Sequence, residues 1–454
     1  MPNPSTPYAR SVDEDAVIDA ASCLSERLGP LGPRVKALSR EYARIWGEIS
    51  SDPYTPDRLF TLSEKKDVER DLSLLIRRLS AEKKKFLPPG HAWESAEMEE
   101  FAASLRPCLK RILGRVDLHL EAVYDARFVD STRHFLRAVR DFDPEIRISS
   151  VYQALRNVWI MNTLQFFLGQ KVELSDAIFG YSMIYPYLDN FIDDAGDSES
   201  DKLAQVLKLK RWLEGVDERP ETPREEKLHA LIGLIERQFS RREYPEVFQS
   251  MLAIYNAQIR SLLQQRETNP PHSAEILDIS LEKGGTSVLA DGYLVAGSLE
   301  PGQQDFCFGF GTFLQLADDL QDIAEDLKRG HSTLFSQTAG QLSLDPLLYK
   351  LFRYVYAVVE RTLDASRPRE QALREVIPRG SALMHMESVS KYPSFFSKAC
   401  VRGCQKAYPV RFSYLRKLRR ALPDKFLTNR EKISDLDPYS IALMTISSRA
   451  FSLD

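Results

Sequence analysis

Residues 306–326 read FCFGFGTFLQLADDLQDIAED, the most informative stretch in the chain. Its first half is apolar and aromatic, which predicts a buried helix. In its second half Asp318, Asp322 and Asp326 recur every fourth residue, so on a helix they form one continuous acidic stripe. Asp319 and Glu325 flank that stripe. Acidic stripes are common on solvent-exposed faces, and one that continues a core helix is much more unusual.

Apolar residues recur at three- and four-residue spacing through most of the chain, for example over 32–50 and 63–85. Runs of alternating β-branched residues are nearly absent. We therefore predict an all-α protein built as a large helical bundle. The Pro-Pro-Gly sequence at 88–90 breaks the chain. It divides an additional N-terminal helical region, residues 1–120 and of unknown role, from a larger unit over 121–454.

Composition excludes several classes of protein. The chain has 454 residues, 43% of them hydrophobic, and a formal net charge of −4. It is too apolar to be largely disordered, and it lacks the basic surplus typical of nucleic-acid binding. Cys400 and Cys404 lie four residues apart without a second pair at zinc spacing, so we expect buried thiols. No secretory signal or membrane-spanning run is evident, which predicts a cytoplasmic protein.

A second acidic segment, YPYLDNFIDD, occupies residues 185–194. On a helix Asp189 and Asp193 stack on one face, where like charges repel each other. Each stripe could be a solvated face paired with Lys or Arg. A divalent cation is the simplest alternative, because Mg²⁺ prefers one or two carboxylates together with water and phosphate oxygens. Two such stripes on facing helices predict a Mg²⁺ site that binds a diphosphate.

Between the two acidic segments lies SLEKGGTSVLADGYLVAG, residues 280–297. Glycine disfavours helix by about 1 kcal/mol relative to alanine, so Gly284 and Gly285 predict a kink that exposes backbone groups to a ligand. Lys283, beside that kink, is either a phosphate-binding cation or a surface lysine. Residues 328–334 either cover the diphosphate or form a charged helix end closed by Gly330.

Taken together, these motifs resemble those of the class I isoprenoid synthase superfamily, and the resemblance covers about residues 155–340. Asp189-x-x-x-Asp193 is similar to the first motif of squalene and phytoene synthases. Residues 315–322 match the QxxDDxxD pattern of chain-elongating prenyltransferases, and residues 322–326 match the DxxED pattern of squalene/phytoene synthases. Residues 293–297 resemble a phytoene synthase YxVAG stretch.

This resemblance implies a class I terpene synthase of the prenyltransferase-like kind. Such an enzyme ionises a prenyl diphosphate with a cluster of about three Mg²⁺ ions, cyclises the carbocation and releases diphosphate. The alternative is coupling of two prenyl diphosphates, as in squalene/phytoene synthases or chain elongation. Against elongation, acidic residues follow the first motif and no early Gly-Gly-Lys-x-x-Arg occurs. A non-catalytic helical interaction protein is a third reading. Members of the superfamily often form homodimers, so the resemblance also implies a possible homodimer.

The resemblance also implies roles for individual residues. The metal ligands would be Asp189, Asp193, Asp194, Asp318, Asp319, Asp322 and Asp326. The diphosphate would be bound by Lys283, Thr286, Gln315, Lys328, Arg329 and Arg156. Catalysis would depend most on Asp189, Asp193, Asp318, Asp322 and Lys283. An aromatic pocket for the cation would consist of Trp159, Phe166, Tyr187, Phe191, Tyr293 and Phe313, for each of which helix-core packing is the alternative.

Overall fold

A computed structural model of the protein describes residues 28–54, 56, 58–83, 126–192, 199–265 and 273–421. These residues are mostly helical and include no β-strand, which confirms the all-α prediction. The helices are α1 (Leu31–Glu48), α2 (Leu62–Lys83), α3 (Ala126–Phe142), α4 (Ile148–Phe167), α5 (Asp176–Ile192), α6 (Glu199–Leu213), α7 (Pro223–Gln238), α8 (Pro245–Ser261), α9 (Ser273–Ala296), α10 (Pro301–Gln321), α11 (Ile323–Arg329), α12 (Leu334–Thr338), α13 (Asp345–Thr362), α14 (Pro368–Lys391), α15 (Lys398–Ala407) and α16 (Phe412–Ala421).

Helices α9 and α10 form an antiparallel pair at the centre of the bundle. They pack closely because glycines remove side chains where the two backbones meet. A Cβ atom at Gly284 or Gly311 would lie less than 3.0 Å from the backbone carbonyl oxygen of the other residue. At Gly285 it would collide with the ring of Phe308. Each of these positions therefore requires glycine for steric reasons rather than for flexibility.

This packing overturns the kink that the sequence predicted at Gly284 and Gly285. Helix α9 continues without interruption from Ser273 to Ala296, and both glycines are buried inside it. The cost of glycine in a helix is offset here by the close approach of α10, which buries apolar surface on both helices. No backbone amide or carbonyl is opened toward a ligand at this point.

The other helices surround this pair. Helices α4, α5 and α8 pack along α9, while α13 packs on α10 and α14 packs on α13. Helix α7 covers the far side of α5. The buried side chains form one continuous hydrophobic core that extends through all these layers.

The N-terminal helices α1 and α2 belong to the same core. Tyr42 of α1 is fully buried, and its hydroxyl donates to Asp305 Oδ1 at 2.8 Å. The ring of Trp46 packs edge-on against that of Tyr354 in α13. Lys65 of α2 donates to the backbone carbonyl of Gln405 at the end of α15. The chain break expected at 88–90 lies outside the described residues.

The predicted segment 32–50 corresponds to α1, which ends at Glu48, and the described part of 63–85 corresponds to α2. None of the helices in the described ranges is long and apolar enough to cross a membrane.

Candidate functional site

Helices α4, α5, α9 and α10 carry partly exposed side chains among mostly buried neighbours. We take six of these side chains as the lining of a candidate cleft between the four helices. We call this group the central cleft, and its residues are Asn157, Tyr185, Lys283, Ser287, Gln315 and Asp318.

Polar contacts connect the helices across the central cleft. The hydroxyls of Tyr185 and Ser287 lie 3.2 Å apart and link α5 to α9. The amide of Asn157 donates to Ser182 Oγ at 3.2 Å and thereby links α4 to α5. At the mouth, Arg156 of α4 and Asp318 of α10 approach within 3.4 Å. Both of these side chains are nearly half exposed.

The register of α5 against α9 follows from two contacts between these helices. Tyr185 faces Ser287, and Tyr181, one turn earlier, lies near Asp291, one turn later. The two helices therefore run antiparallel. One more turn brings the backbone of Asp189 level with Lys283. The side chains of Asp189 and Phe191, and the whole of Asp193 and Asp194, lie outside the described residues.

The aspartates of the α10 segment fall into two groups, and Asp318 and Asp322 form the accessible one. Both are partly exposed. Asp322 follows the last residue of α10 and adopts φ −97° and ψ 8°. Helical hydrogen bonds still run through it, from its N–H to the carbonyl oxygen of Asp318 at 3.0 Å and from the Asp326 N–H to its own carbonyl oxygen at 2.8 Å. The four-residue register of the predicted stripe is therefore kept across Asp322.

Asp319, by contrast, is buried between α9 and α10. Gln315 Nε2 donates to one of its oxygens at 2.8 Å, and the Ser280 hydroxyl donates to the other at 2.9 Å. Burial raises the pKa of Asp319 to about 6, although these hydrogen bonds and the positive charge of Lys283 oppose the rise. Both oxygens of Asp319 are thus hydrogen-bonded to neighbouring side chains, whereas Asp318 is partly exposed.

Asp326 is also occupied by local contacts. It is buried, His331 Nδ1 lies 3.3 Å from one of its oxygens, and the Thr333 hydroxyl donates to the other at 3.4 Å. Gly330 ends α11 in the left-handed conformation with φ 72°, as the helix-end interpretation of this segment predicted. The exposed Arg329 pairs with Glu325 one turn earlier, and Lys328 is exposed as well.

Lys283 and Thr286, predicted to bind diphosphate together, differ in their surroundings. Lys283 is partly exposed in the central cleft. Thr286 is fully buried, and its hydroxyl donates to the backbone carbonyl of Glu282 at 2.6 Å. This hydrogen bond within α9 directs Thr286 into the core, so Lys283 is the accessible member of the pair.

Five of the six residues predicted to form an aromatic pocket have described side chains, and the structure shows what each of these contacts. Trp159 Nε1 donates to Thr132 of α3 at 3.0 Å, and the Tyr187 hydroxyl donates to Asp143 Oδ2 at 2.6 Å. These contacts link Trp159 and Tyr187 to α3 and to the loop that follows it. The Tyr185 hydroxyl, by contrast, lies 3.2 Å from the Ser287 hydroxyl of α9.

The remaining predicted pocket residues lie in the core. The hydroxyl of Tyr293 accepts a hydrogen bond from Gln304 at 3.0 Å near the α9–α10 connection. Phe313 is buried against Phe310, with ring centroids 5.1 Å apart. Phe166 is partly buried at the edge of the core. The surroundings of these three residues are those of core side chains, which is the alternative to a pocket role.

Next to the partly exposed residues the structure reveals a buried polar cluster that no sequence motif identified. Asp291 of α9 is fully buried, and its Oδ1 accepts a hydrogen bond from Asn157 Nδ2 at 3.3 Å. Ser182 and Tyr181 of α5 lie beside it. The sequence pattern that could have identified this cluster is the four-residue spacing of Lys283, Ser287 and Asp291 on α9. It is easily overlooked in a segment that is otherwise apolar.

Within the described ranges, no group of three or more His, Cys, Asp or Glu side chains is arranged to hold a metal ion. The predicted Mg²⁺ site includes residues outside those ranges. Cys400 and Cys404 are buried free thiols, as expected.

Comparison of the chain with protein-family models, with curated proteins and with solved structures gave no match.

Proposed function

We propose that the protein is a Mg²⁺-dependent class I terpene synthase that ionises a prenyl diphosphate in the central cleft and cyclises the carbocation. The observation that supports this most strongly is the antiparallel register of α5 and α9, in which the backbone of Asp189 is level with Lys283. Lys283 also lies near Asp319, the neighbour of Asp318 on α10. The resemblance of the motifs in sequence agrees with this arrangement.

The residues at the mouth of the cleft fit a magnesium site. Asp318 and Asp322 are partly exposed carboxylates one turn apart, and hard oxygen ligands of this kind suit Mg²⁺. Asp189, Asp193 and Asp194 would supply ligands from the α5 segment. When bound, Mg²⁺ would neutralise the negative charge that develops on the leaving diphosphate. The burial of Asp319 and Asp326 makes them the weaker candidates.

The chain's own cations complement this site. Lys283 lies in the cleft and is placed to bind a diphosphate oxygen, while Arg156 lies at the mouth beside Asp318. As the carbon–oxygen bond of the substrate breaks, both electrons leave with the diphosphate. Fixed positive groups stabilise that departing anion. The hydrocarbon part would extend down the cleft past Tyr185 and Ser287.

Conversion of Asp318 and Asp322 to asparagine tests the proposal. The double variant should fold normally, because both side chains are partly exposed, but release diphosphate at least about 10²-fold more slowly. Asp278→Asn is the matched control, since Asp278 is an exposed acid elsewhere on α9. Diphosphate release from geranyl, farnesyl, geranylgeranyl and geranylfarnesyl diphosphate, with and without Mg²⁺, is the measurement.

Product analysis separates cyclisation from coupling. A cyclic hydrocarbon or alcohol from a single prenyl diphosphate supports the proposal. A product that forms only when isopentenyl diphosphate is added, or a hydrocarbon of doubled chain length, would identify a coupling enzyme instead. Unchanged turnover in the double variant would refute the role of the α10 carboxylates.

A further inference from the structure

Positive charge is concentrated on the last two described helices, α15 and α16. From 388 to 423 the sequence contains nine Lys or Arg residues and no Asp or Glu, although the whole chain has a formal net charge of −4. Both helices pack on α14, and their buried positions are mostly apolar. Most of their cations therefore lie on the opposite, exposed faces.

Neighbouring acids leave most of this charge uncompensated. Of the cations in residues 398–421, Arg411 and Arg419 form ion pairs with described acids, namely Glu69 and Glu387. The other six are exposed, and none of them is ion-paired with an acid of the described residues; they are Lys398, Arg402, Lys406, Arg416, Lys417 and Arg420. The three on α15 recur every fourth residue, so they follow one face of that helix.

Helix α2 extends this positive surface, because it runs parallel to α16 and beside it. Arg411 Nε donates to Glu69 Oε1 at 2.9 Å, and one turn further along both helices the hydroxyls of Ser73 and Tyr414 lie 2.9 Å apart. A groove of about 390 Å³ lies between the two helices. The exposed side chains of α2 that line it are Lys66, Arg70, Leu74 and Arg77.

Exposed leucines accompany the positive charge. Of the six large apolar side chains that are strongly exposed in the described ranges, three lie on α2 or just before it, namely Leu59, Leu62 and Leu74. The segment that contains Leu59 adjoins α15, since the Phe60 N–H donates to the carbonyl oxygen of Lys406 at 3.0 Å. Cations beside exposed aliphatic groups suit the interface of an anionic membrane. Nucleic-acid bases, by contrast, stack on exposed aromatic rings.

We propose that the exposed faces of α2, α15 and α16, which we call the basic surface, bind the anionic surface of a phospholipid membrane. Lys66 and Arg77 bind lipid phosphates at the groove, and the cations of α15 and α16 attract the headgroup layer. Leu74, which lines the same groove, enters the boundary between headgroups and acyl chains. The protein lies on the membrane through this surface, whatever reaction takes place in the central cleft.

Binding of the full chain to lipid vesicles tests the proposal. The wild-type protein should sediment with vesicles of equimolar phosphatidylcholine and phosphatidylserine but not with phosphatidylcholine alone, and high salt should release it. Neutralisation of three exposed cations, in Lys66→Gln/Arg77→Gln/Lys417→Gln, should weaken binding about 10²-fold, because each cation near an anionic surface contributes about fivefold.

Two matched controls separate the basic surface from general effects of charge and hydrophobicity. The variant Lys36→Gln/Arg40→Gln/Arg242→Gln loses the same charge at exposed positions elsewhere and should bind like wild type. Leu74→Gln should weaken binding about fivefold, because the leucine no longer enters the membrane. Leu342→Gln, at an exposed leucine on another part of the fold, should leave binding unchanged. All of the substituted side chains are exposed, so thermal unfolding should match that of wild type.

Several outcomes would overturn the proposal. Absence of binding to the mixed vesicles, or equal binding by the two triple variants, would show that the basic surface does not bind membranes. Unchanged binding by Leu74→Gln would contradict entry of the leucine and indicate a soluble polyanion instead. Tighter binding to a mixed-sequence RNA than to vesicles would identify nucleic acid as the partner. These measurements use no prenyl diphosphate, so failure here leaves the terpene synthase proposal standing.

Discussion

Two faces of α9 differ in what they pack against. The face toward α10 carries Gly284 and Gly285, where no Cβ fits, and the backbones of the two helices touch. The adjacent face carries Lys283, Ser287 and Asp291, and it meets Tyr185 of α5 and Asn157 of α4 through polar contacts. The difference shows that one helix supplies both a close-packed wall and the candidate site from neighbouring positions in its sequence.

The largest effect is expected from breaking the packed face. Gly311→Ala would place a Cβ atom less than 3.0 Å from the carbonyl oxygen of Gly284, so α9 and α10 would have to separate. We expect a loss of about 3 kcal/mol or more in the free energy of unfolding, measured by denaturant titration.

Gly380→Ala is the matched control for that experiment. Gly380 lies inside α14, and a Cβ there would meet no atom within 4 Å. The helix propensity of alanine should then stabilise the protein by about 0.5–1 kcal/mol. If Gly311→Ala also stabilised the protein, that result would contradict the close packing of α9 against α10.

A second prediction concerns a polar group placed in the packed part of the bundle. His385 of α14 is fully buried beside the ring of Phe352, and neither ring nitrogen has a hydrogen-bond partner in the described structure. Burial lowers the pKa of His385 from 6.5 to about 3. Between these values the unfolded chain binds more protons, so stability falls as the pH drops below 6.5.

Burial of His385 should therefore lower the free energy of unfolding by about 3 kcal/mol at pH 4.5 relative to neutral pH. His385→Leu should remove that part of the acid sensitivity, as measured by unfolding midpoints between pH 4.5 and 7.5. His134→Gln, at an exposed histidine, should leave the acid sensitivity unchanged. An identical pH dependence in wild type and His385→Leu would contradict the prediction.

The smallest effect is expected at the cleft. The Tyr185 hydroxyl contacts Ser287 where both residues are partly exposed, so water can replace the hydrogen bond in Tyr185→Phe. The cost to stability should be below about 1 kcal/mol. Tyr354→Phe offers the packed counterpart, because its hydroxyl is buried 2.8 Å from that of Thr312.

Removal of the Tyr354 hydroxyl should cost about 1–2 kcal/mol, since the buried Thr312 loses a partner that water cannot replace. Denaturant titration of the two phenylalanine variants measures the difference directly. A larger loss at Tyr185 than at Tyr354 would mean that the cleft is as tightly packed as the rest of the interior.

Much of the architecture could be predicted from local patterns. Apolar spacing identified α1, α2 and the buried first half of α10, because a helix repeats its faces every three to four residues whatever surrounds it. The same periodicity places Asp318 and Asp322 on one helix face, and both of these partly exposed acids were among the predicted metal ligands. Gly284 and Gly285 were misinterpreted, because their effect depends on a partner helix that lies more than twenty residues away in sequence.

What the sequence by itself determined is the class of fold and the presence of two acidic segments separated by an apolar helix. Tertiary structure alone decided which of those acids are accessible. Asp318 and Asp319 are neighbours in sequence, yet one meets Arg156 at the mouth of the cleft while the other is enclosed by Gln315 and Ser280. It also decided that Asp291 is fully buried beside Asn157. The physical reason is that helical periodicity fixes which residues share a face. Whether that face meets water, a ligand or another helix depends on packing between segments distant in the chain.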